Sequence, residues 1–144
     1  MVDKDLIRAR LTYLDTNVGI LESKSAIPKE DFLADTDQQY VVLHAMQLAI
    51  QAAIDLAAHI VTDEGWGVPV RSGQAFAILA DNKVLTATLA AHLRSMSSFR
   101  NLIVHEYGAL DLNIVYKLLH ESLPDLRQFA GAIEAFLSES PDPQ

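Results

Sequence analysis

The residues best equipped for chemistry stand close together, in the stretch Phe99-Arg100-Asn101-Leu102-Ile103-Val104-His105-Glu106-Tyr107-Gly108. They include an obligate cation, an imidazole of a type that ordinarily titrates at about pH 6.5, and a phenol. Such a set suits proton transfer beside a bound anion, in which the imidazole gives or takes a proton and the cation steadies developing negative charge. His105 fits either proton-transfer role, and the planar fork of Arg100 can grip two phosphate oxygens at once. Asn101, one helical turn before His105, stands where it can fix the imidazole. One histidine does not easily serve as both acid and base in a single step.

These residues need a scaffold that turns them toward one place. Leu85, Leu89, Leu93, Met96, Phe99 and Ile103 recur at steps of three and four, which predicts a helix from about Val84 to Tyr107. Arg100 falls within about 40° of Leu93, Met96 and Ile103, on the buried side of that helix. His105 projects to a different side, in line with Ser98 and Asn101. Tyr107 returns beneath Arg100 at i+7, and Gly108 reads as the C-cap. Each residue taken singly also has a structural reading. Arg100 would form a buried ion pair with Asp55 or Glu106, His105 would be a satisfied helix-end histidine, and Tyr107 would belong to the core.

Upstream, Leu6, Ile7, Leu11, Leu14, Val18 and Leu21 predict a helix over residues 3 to about 24. Pro28 at an N1 position opens a short turn, Lys29 to Leu33, that carries Phe32 inward. Thr36 with Gln39 fits a capping box for a long helix over about 37 to 62. Its polar residues His44, Gln47, Gln51, Asp55, His59 and Thr62 form one narrow stripe on an otherwise apolar cylinder. That stripe is either a solvent-facing edge or the wall of a cleft opposite Arg100 and His105. The apolar remainder calls for burial in a bundle or cover by a second subunit. His44, Asp55 and His59 suit a metal by ligand type, but the about three turns from His44 to Asp55 are too far for one ion. Trp66, in a rigid loop, reads as a lid on the bundle end or a platform for a base. Ser72 caps a short helix through Ala80. A last helix runs from Leu112 to Leu137, with a kink or break near His120 to Leu123 caused by Pro124. His92 and His120 read as structural or surface residues.

Half of the 144 residues are apolar and no strand-like alternation occurs, so the expectation is an all-α, antiparallel bundle of four to five helices in a single domain, 1–137, with a flexible tail at 138–144. There is no cysteine, hence neither a disulfide nor a thiolate metal site. The chain reads as cytoplasmic, since no basic region precedes an apolar run at its start and polar residues interrupt the long apolar helix. A net charge of −8 opposes nucleic-acid binding at long range. No Lys or Arg lies between Lys29 and Arg71, whereas Arg71, Arg94, Arg100, Lys117 and Arg127 all fall in the second half, so RNA, if it binds, binds there.

Arg100-Asn101-x-x-x-His105-x-Tyr107 resembles the Arg-x-x-x-x-His-x-Tyr motif of HEPN-domain proteins, in particular the HepT-like toxins. The stretch Leu48-Ala49-Ile50-Gln51-Ala52-Ala53-Ile54-Asp55-Leu56-Ala57-Ala58-His59-Ile60 resembles the family's second helix, and Gly67-Val68-Pro69 its following turn. The resemblance runs from about Leu6 to Leu137. It implies a homodimer with both motifs facing one cleft, acting as a metal-independent ribonuclease toxin of a toxin–antitoxin pair, with no cofactor and no bound metal. Arg100 and His105 would be catalytic, with Asn101 and Asp55 in supporting places and RNA as substrate. The antitoxin it implies is a separate minimal nucleotidyltransferase, MntA-like, which attaches AMP to Tyr107. An alternative is a non-catalytic HEPN subunit that holds a nucleotide or substrate for a nucleotidyltransferase. A third reading is a plain helical dimerisation module.

Overall fold

The computed structural model describes residues 2–140, and at Tyr107 the backbone alone. Among these the chain forms α1 (Lys4–Ser25), α2 (Lys29–Ala34), α3 (Thr36–Asp63), α4 (Gln74–Asp81), α5 (Ala87–His105), a 3₁₀ turn at Tyr107–Ala109 and α6 (Leu112–Glu139). No strand occurs among the described residues. The all-α expectation holds: four long helices carry the bundle, and two short ones, α2 and α4, close its ends.

The long helices alternate in direction. Phe32, just before α3, meets Tyr116 early in α6, while Trp66, just after α3, meets Phe136 late in α6, so these two run the same way. α1 opposes α6, because Lys4 reaches the Ser140 carbonyl at one end and the Tyr116 hydroxyl donates to the Ile27 carbonyl at the other. α5 also opposes α6, with His92 beside Asp125. One cluster fills the interior, led by Ile7, Leu14, Leu21, Leu56, Ile60, Leu93 and Phe129. α3 is long and apolar enough by composition to cross a membrane, yet 61% of its most apolar window is buried among its neighbours. It is the core helix of this bundle, which explains why its apolar surface extends around most of its circumference.

Local chemistry moves several element ends from where the sequence places them. Asp35, not Thr36, caps α3, its carboxylate accepting from the Gln38 amide at 3.2 Å. Gln39 reaches back as expected, but to the carbonyls of Phe32 and Leu33, tying α2 onto α3. Pro28 is the N-cap of α2 and not its N1 residue, and Phe32 is buried as expected. Gly73, not Ser72, precedes α4. After α3, Gly65 takes the left-handed φ of 72°. The amides of Gly65 and Trp66 then turn back to the carbonyls of Thr62 and Val61. That closure lays Trp66 edge-on against Phe136, as a lid. α6 passes through Pro124 without a break, since the exposed proline costs one amide donor and the flanking Ser122, Leu126 and Phe129 stay buried. The helix ends at Glu139 with Ser140 as its cap, so Ser138 and Glu139 belong to α6 and not to the expected tail, whose remaining residues 141–144 lie outside the described ones.

Candidate active site at the end of α5

α5 begins where the Thr86 hydroxyl accepts the Leu89 amide at 3.1 Å. Its buried residues Leu89, Leu93, Met96 and Ile103 hold one face against the core. This leaves Arg100 half-buried at the edge of that face. Its Nη1 donates to Asn101 Oδ1 at 3.2 Å. Its Nε is buried and finds no acceptor among the described residues. A guanidinium N–H held away from water without a partner costs free energy, and an incoming oxyanion would relieve it.

His105 is the last residue of α5 and is exposed. The helix stops there because Glu106 leaves helical geometry, at φ −132° and ψ 36°. Gly108 does not take the left-handed conformation of a C-capping glycine. Tyr107 therefore lies in the 3₁₀ turn beyond α5, and the expected i+7 relation between Tyr107 and Arg100 does not hold. The Tyr107 side chain lies outside the described part of the structure.

Two supporting assignments come out differently. Asn101 engages Arg100 and not the imidazole. Asp55 belongs to another neighbourhood: Oδ1 accepts from Gln51 Nε2 at 2.8 Å, and Oδ2 lies 4.0 Å from Arg10 Nη1 of α1. It lines a depression with Arg10, Ala58, His59 and Asp63, to which α5 contributes nothing. The α3 stripe thus divides, and its later half faces α1 and solvent. Among the described residues, no three His, Asp or Glu side chains gather closely enough to share a metal, so His44, Asp55 and His59 do not converge. Neither Asp55 nor Glu106 forms an ion pair with Arg100.

The two histidines read as structural or surface residues have structural partners. His92 Nδ1 lies 3.2 Å from Asp125 Oδ1. The ring nitrogens of His120 lie 2.9 Å from the carbonyls of Tyr116 and Ser25, and the ring packs on Tyr116 with centroids 4.6 Å apart. Arg127 bonds Glu22 and Asp15, which hold its guanidinium above the usual arginine value.

A feature missed in the sequence lies along α5. A groove of about 1000 Å³ runs between α5 and the loop before α4, lined by Arg71, Ser72, Gln74, Arg94, Ser98 and Asn101. Asn101 joins this groove to the Arg100 position. The available signal was the spacing Arg94, Ser98, Asn101, His105, which puts all four within an arc of about 60° on one helix.

Comparison with known proteins agrees with the helical bundle and with the family resemblance. The "mRNA nuclease HepT" of Shewanella oneidensis is 37% identical over 107 residues, covering 74% of this chain and 77% of that protein. The "tRNA nuclease HepT" of Aphanizomenon flos-aquae is 29% identical over 136 residues, 94% of this chain and 92% of the other. Among solved structures, a tri-AMPylated Shewanella oneidensis HEPN toxin in complex with an MNT antitoxin superimposes with a TM-score of 0.84 at 30% identity, covering 91% of this chain and 98% of that one. The family model for ribonuclease HepT-like proteins matches residues 14–133, and on that match the chain belongs to the HepT-like family.

Proposed function

We propose that this chain is the metal-independent ribonuclease toxin of a toxin–antitoxin pair, that it acts in the cytoplasm, and that Arg100 and His105 do the cutting. The observation that carries this reading is the pairing, on one unbroken helix, of a half-buried guanidinium whose Nε has no acceptor among the described residues with an exposed imidazole at the helix end. Similarity to proteins named as mRNA and tRNA nucleases supports it.

In the reaction, the His105 imidazole accepts the proton of a ribose 2′-hydroxyl, and the freed oxygen attacks the adjacent phosphorus. Arg100 holds the non-bridging oxygens as charge gathers on the phosphorane. The bond to the 5′-oxygen breaks, and an acid supplies that oxygen with its proton. The products are a 2′,3′-cyclic phosphate and a free 5′-hydroxyl. These roles call for a base, a cation and an acid, and side chains can fill all three.

The acid comes from a second copy in a homodimer. Arg100 and His105 of one helix point about 140° apart, so one copy does not readily bring both onto one phosphate. Large apolar residues are also exposed in the motif and in the early turns of α3 and α6, which meet at one end of the bundle: Leu102 and Val104, Tyr40 and Val41, and Ile114. A patch of that kind marks a contact surface. A two-fold pairing across it would place two arginines and two histidines in one cleft.

Control follows from Tyr107, two residues after His105. A separate nucleotidyltransferase would transfer AMP to it, the phenol oxygen displacing pyrophosphate from ATP. The added bulk and negative charge would occupy the phosphate seat beside Arg100. The solved relative, an AMPylated toxin with its MNT antitoxin, supports this mode. The net charge of −8 favours one rival reading, a non-catalytic subunit that only holds a nucleotide for a nucleotidyltransferase.

Induced expression in a bacterial host tests the proposal. Wild type should arrest growth and degrade RNA, and a co-expressed cognate nucleotidyltransferase should relieve the arrest. Arg100→Ala and His105→Ala should each grow normally at equal protein level. Arrest that persists in both variants would overturn the reading, and no arrest with wild type would favour the non-catalytic subunit.

A further inference from the structure

We infer that Arg71 and Arg94 form a phosphate subsite that holds the RNA strand beside the scissile bond, so that the groove along α5 is the seat of a single-stranded substrate segment. The inference rests on the ribonuclease reading above and extends it from the reacting phosphate to the strand on one side of it.

Four observations converge on this groove. Arg94, Ser98, Asn101 and His105 stand at i, i+4, i+7 and i+11 of α5, a polar stripe about 16 Å long that ends at the imidazole. Across from it, the loop before α4 contributes Arg71 and Ser72, and α4 itself contributes Gln74. The lining holds two arginines and no Asp or Glu, in a chain with 19 acidic and 11 basic residues. Finally, among the described residues neither Arg71 nor Arg94 forms an ion pair, a property they share with other exposed cations such as Arg8 and Lys83 but combine with a common groove. Where anionic side chains outnumber cations so heavily, two guanidinium groups facing one groove without a carboxylate are suited to an external anion.

The chemistry selects the part of RNA that binds. Guanidinium groups, serine hydroxyls and side-chain amides bind phosphate and sugar oxygens without reading the bases. Among the described residues no aromatic ring lines the groove, so backbone contacts dominate there. The subsite therefore fixes the register of the backbone and leaves base identity unread. It also offsets the overall charge locally, which lets an acidic protein retain a polyanion.

Binding and cleavage can be measured apart. The His105→Ala protein binds without cutting, and fluorescence anisotropy with a labelled single strand of about 12 nucleotides gives Kd across a salt series. Each phosphate contact with a single strand adds roughly 0.7 to the slope of log affinity against log salt. Adding Arg71→Ala and Arg94→Ala together should lower that slope by about 1.4 and weaken binding roughly tenfold at low salt. Arg71→Lys with Arg94→Lys should keep the slope, because charge sets it. Lys29→Gln, an exposed cation on α2 outside the groove, should leave the slope unchanged. Circular dichroism and thermal melting confirm that each variant is folded. An unchanged slope in the double alanine variant, an equal fall in Lys29→Gln, or no RNA binding by His105→Ala at low salt would overturn the subsite. If the slope falls as expected while wild type cuts no RNA, the ribonuclease reading fails and the subsite stands.

Discussion

Arg100 is the residue on which geometry and chemistry bear most directly. Its stem lies at the edge of the core, one N–H is bonded to Asn101, and another has no acceptor among the described residues. Removing it should lower RNA cleavage by about two to three orders of magnitude, in line with the loss of a preorganised donor. Arg100→Lys should recover only part of that, because an ammonium keeps the charge and loses the two-pronged grip. Single-turnover rates on a defined RNA decide it, and full activity in Arg100→Lys would mean that charge alone matters. Tyr107→Phe should keep the nuclease and lose sensitivity to a co-expressed nucleotidyltransferase. Intact mass checks this: wild type should gain at least one AMP, and the variant none. A gain that persists in the variant moves the modification elsewhere. The motif residues were legible because they sit within two helical turns of each other. Asp55 was misplaced because its partner, Arg10, is far away in sequence, and a polar stripe on one helix does not say which neighbour it faces.

At the level of elements, apolar spacing carried most of the reading. Leu89, Leu93, Met96 and Ile103 are buried as their period requires, and so are Ile7, Leu14 and Leu21. Ends were harder, because adjacent residues compete for the same role. Asp35, Thr36 and Asp37 are all competent caps, and only the backbone geometry selects Asp35. Asp35→Ala should therefore cost about 1 kcal/mol in urea unfolding, while Thr36→Ala should cost a few tenths at most. The reverse order would contradict the cap assignment. Gly108 misled for a related reason: a glycine permits a left-handed cap without requiring one. Pro124 misled because the rest of α6 packs well enough to carry the helix through it. Pro124→Ala restores a backbone donor and a better helix former, so it should raise stability by about 1–3 kcal/mol. A lower urea midpoint would instead show that the proline ring makes packing contacts of its own.

For the whole molecule, the balance to explain is between an acidic chain and an anionic substrate. The basic residues differ in their surroundings: Arg127 is tied between α1 and α6 by Glu22 and Asp15, while Arg71 and Arg94 line a groove to which no carboxylate contributes among the described residues. The raised Arg127 value means its ion pairs persist at neutral pH, and their contribution is lost only in strong alkali, above the ordinary arginine range. Because these groups are well exposed, the pairs are worth about 1 kcal/mol or less and fade with salt. The groove was hidden in the sequence because Arg71 and Arg94 come together only when the loop before α4 folds onto α5. The exposed apolar residues at the motif end should bury against a second copy. Light scattering should give about twice the 15.8 kDa chain mass. Val41→Lys combined with Leu102→Lys should yield folded monomers with little nuclease activity, whereas an active monomer would remove the need for a second copy. The most direct measurement of the central claim is the cleavage of total RNA by purified protein with excess chelator present, wild type against His105→Ala. Wild type should cut, leaving 2′,3′-cyclic phosphate ends, and His105→Ala should be slower by about a hundredfold or more. Cleavage that requires added magnesium, or that survives in His105→Ala, would contradict it.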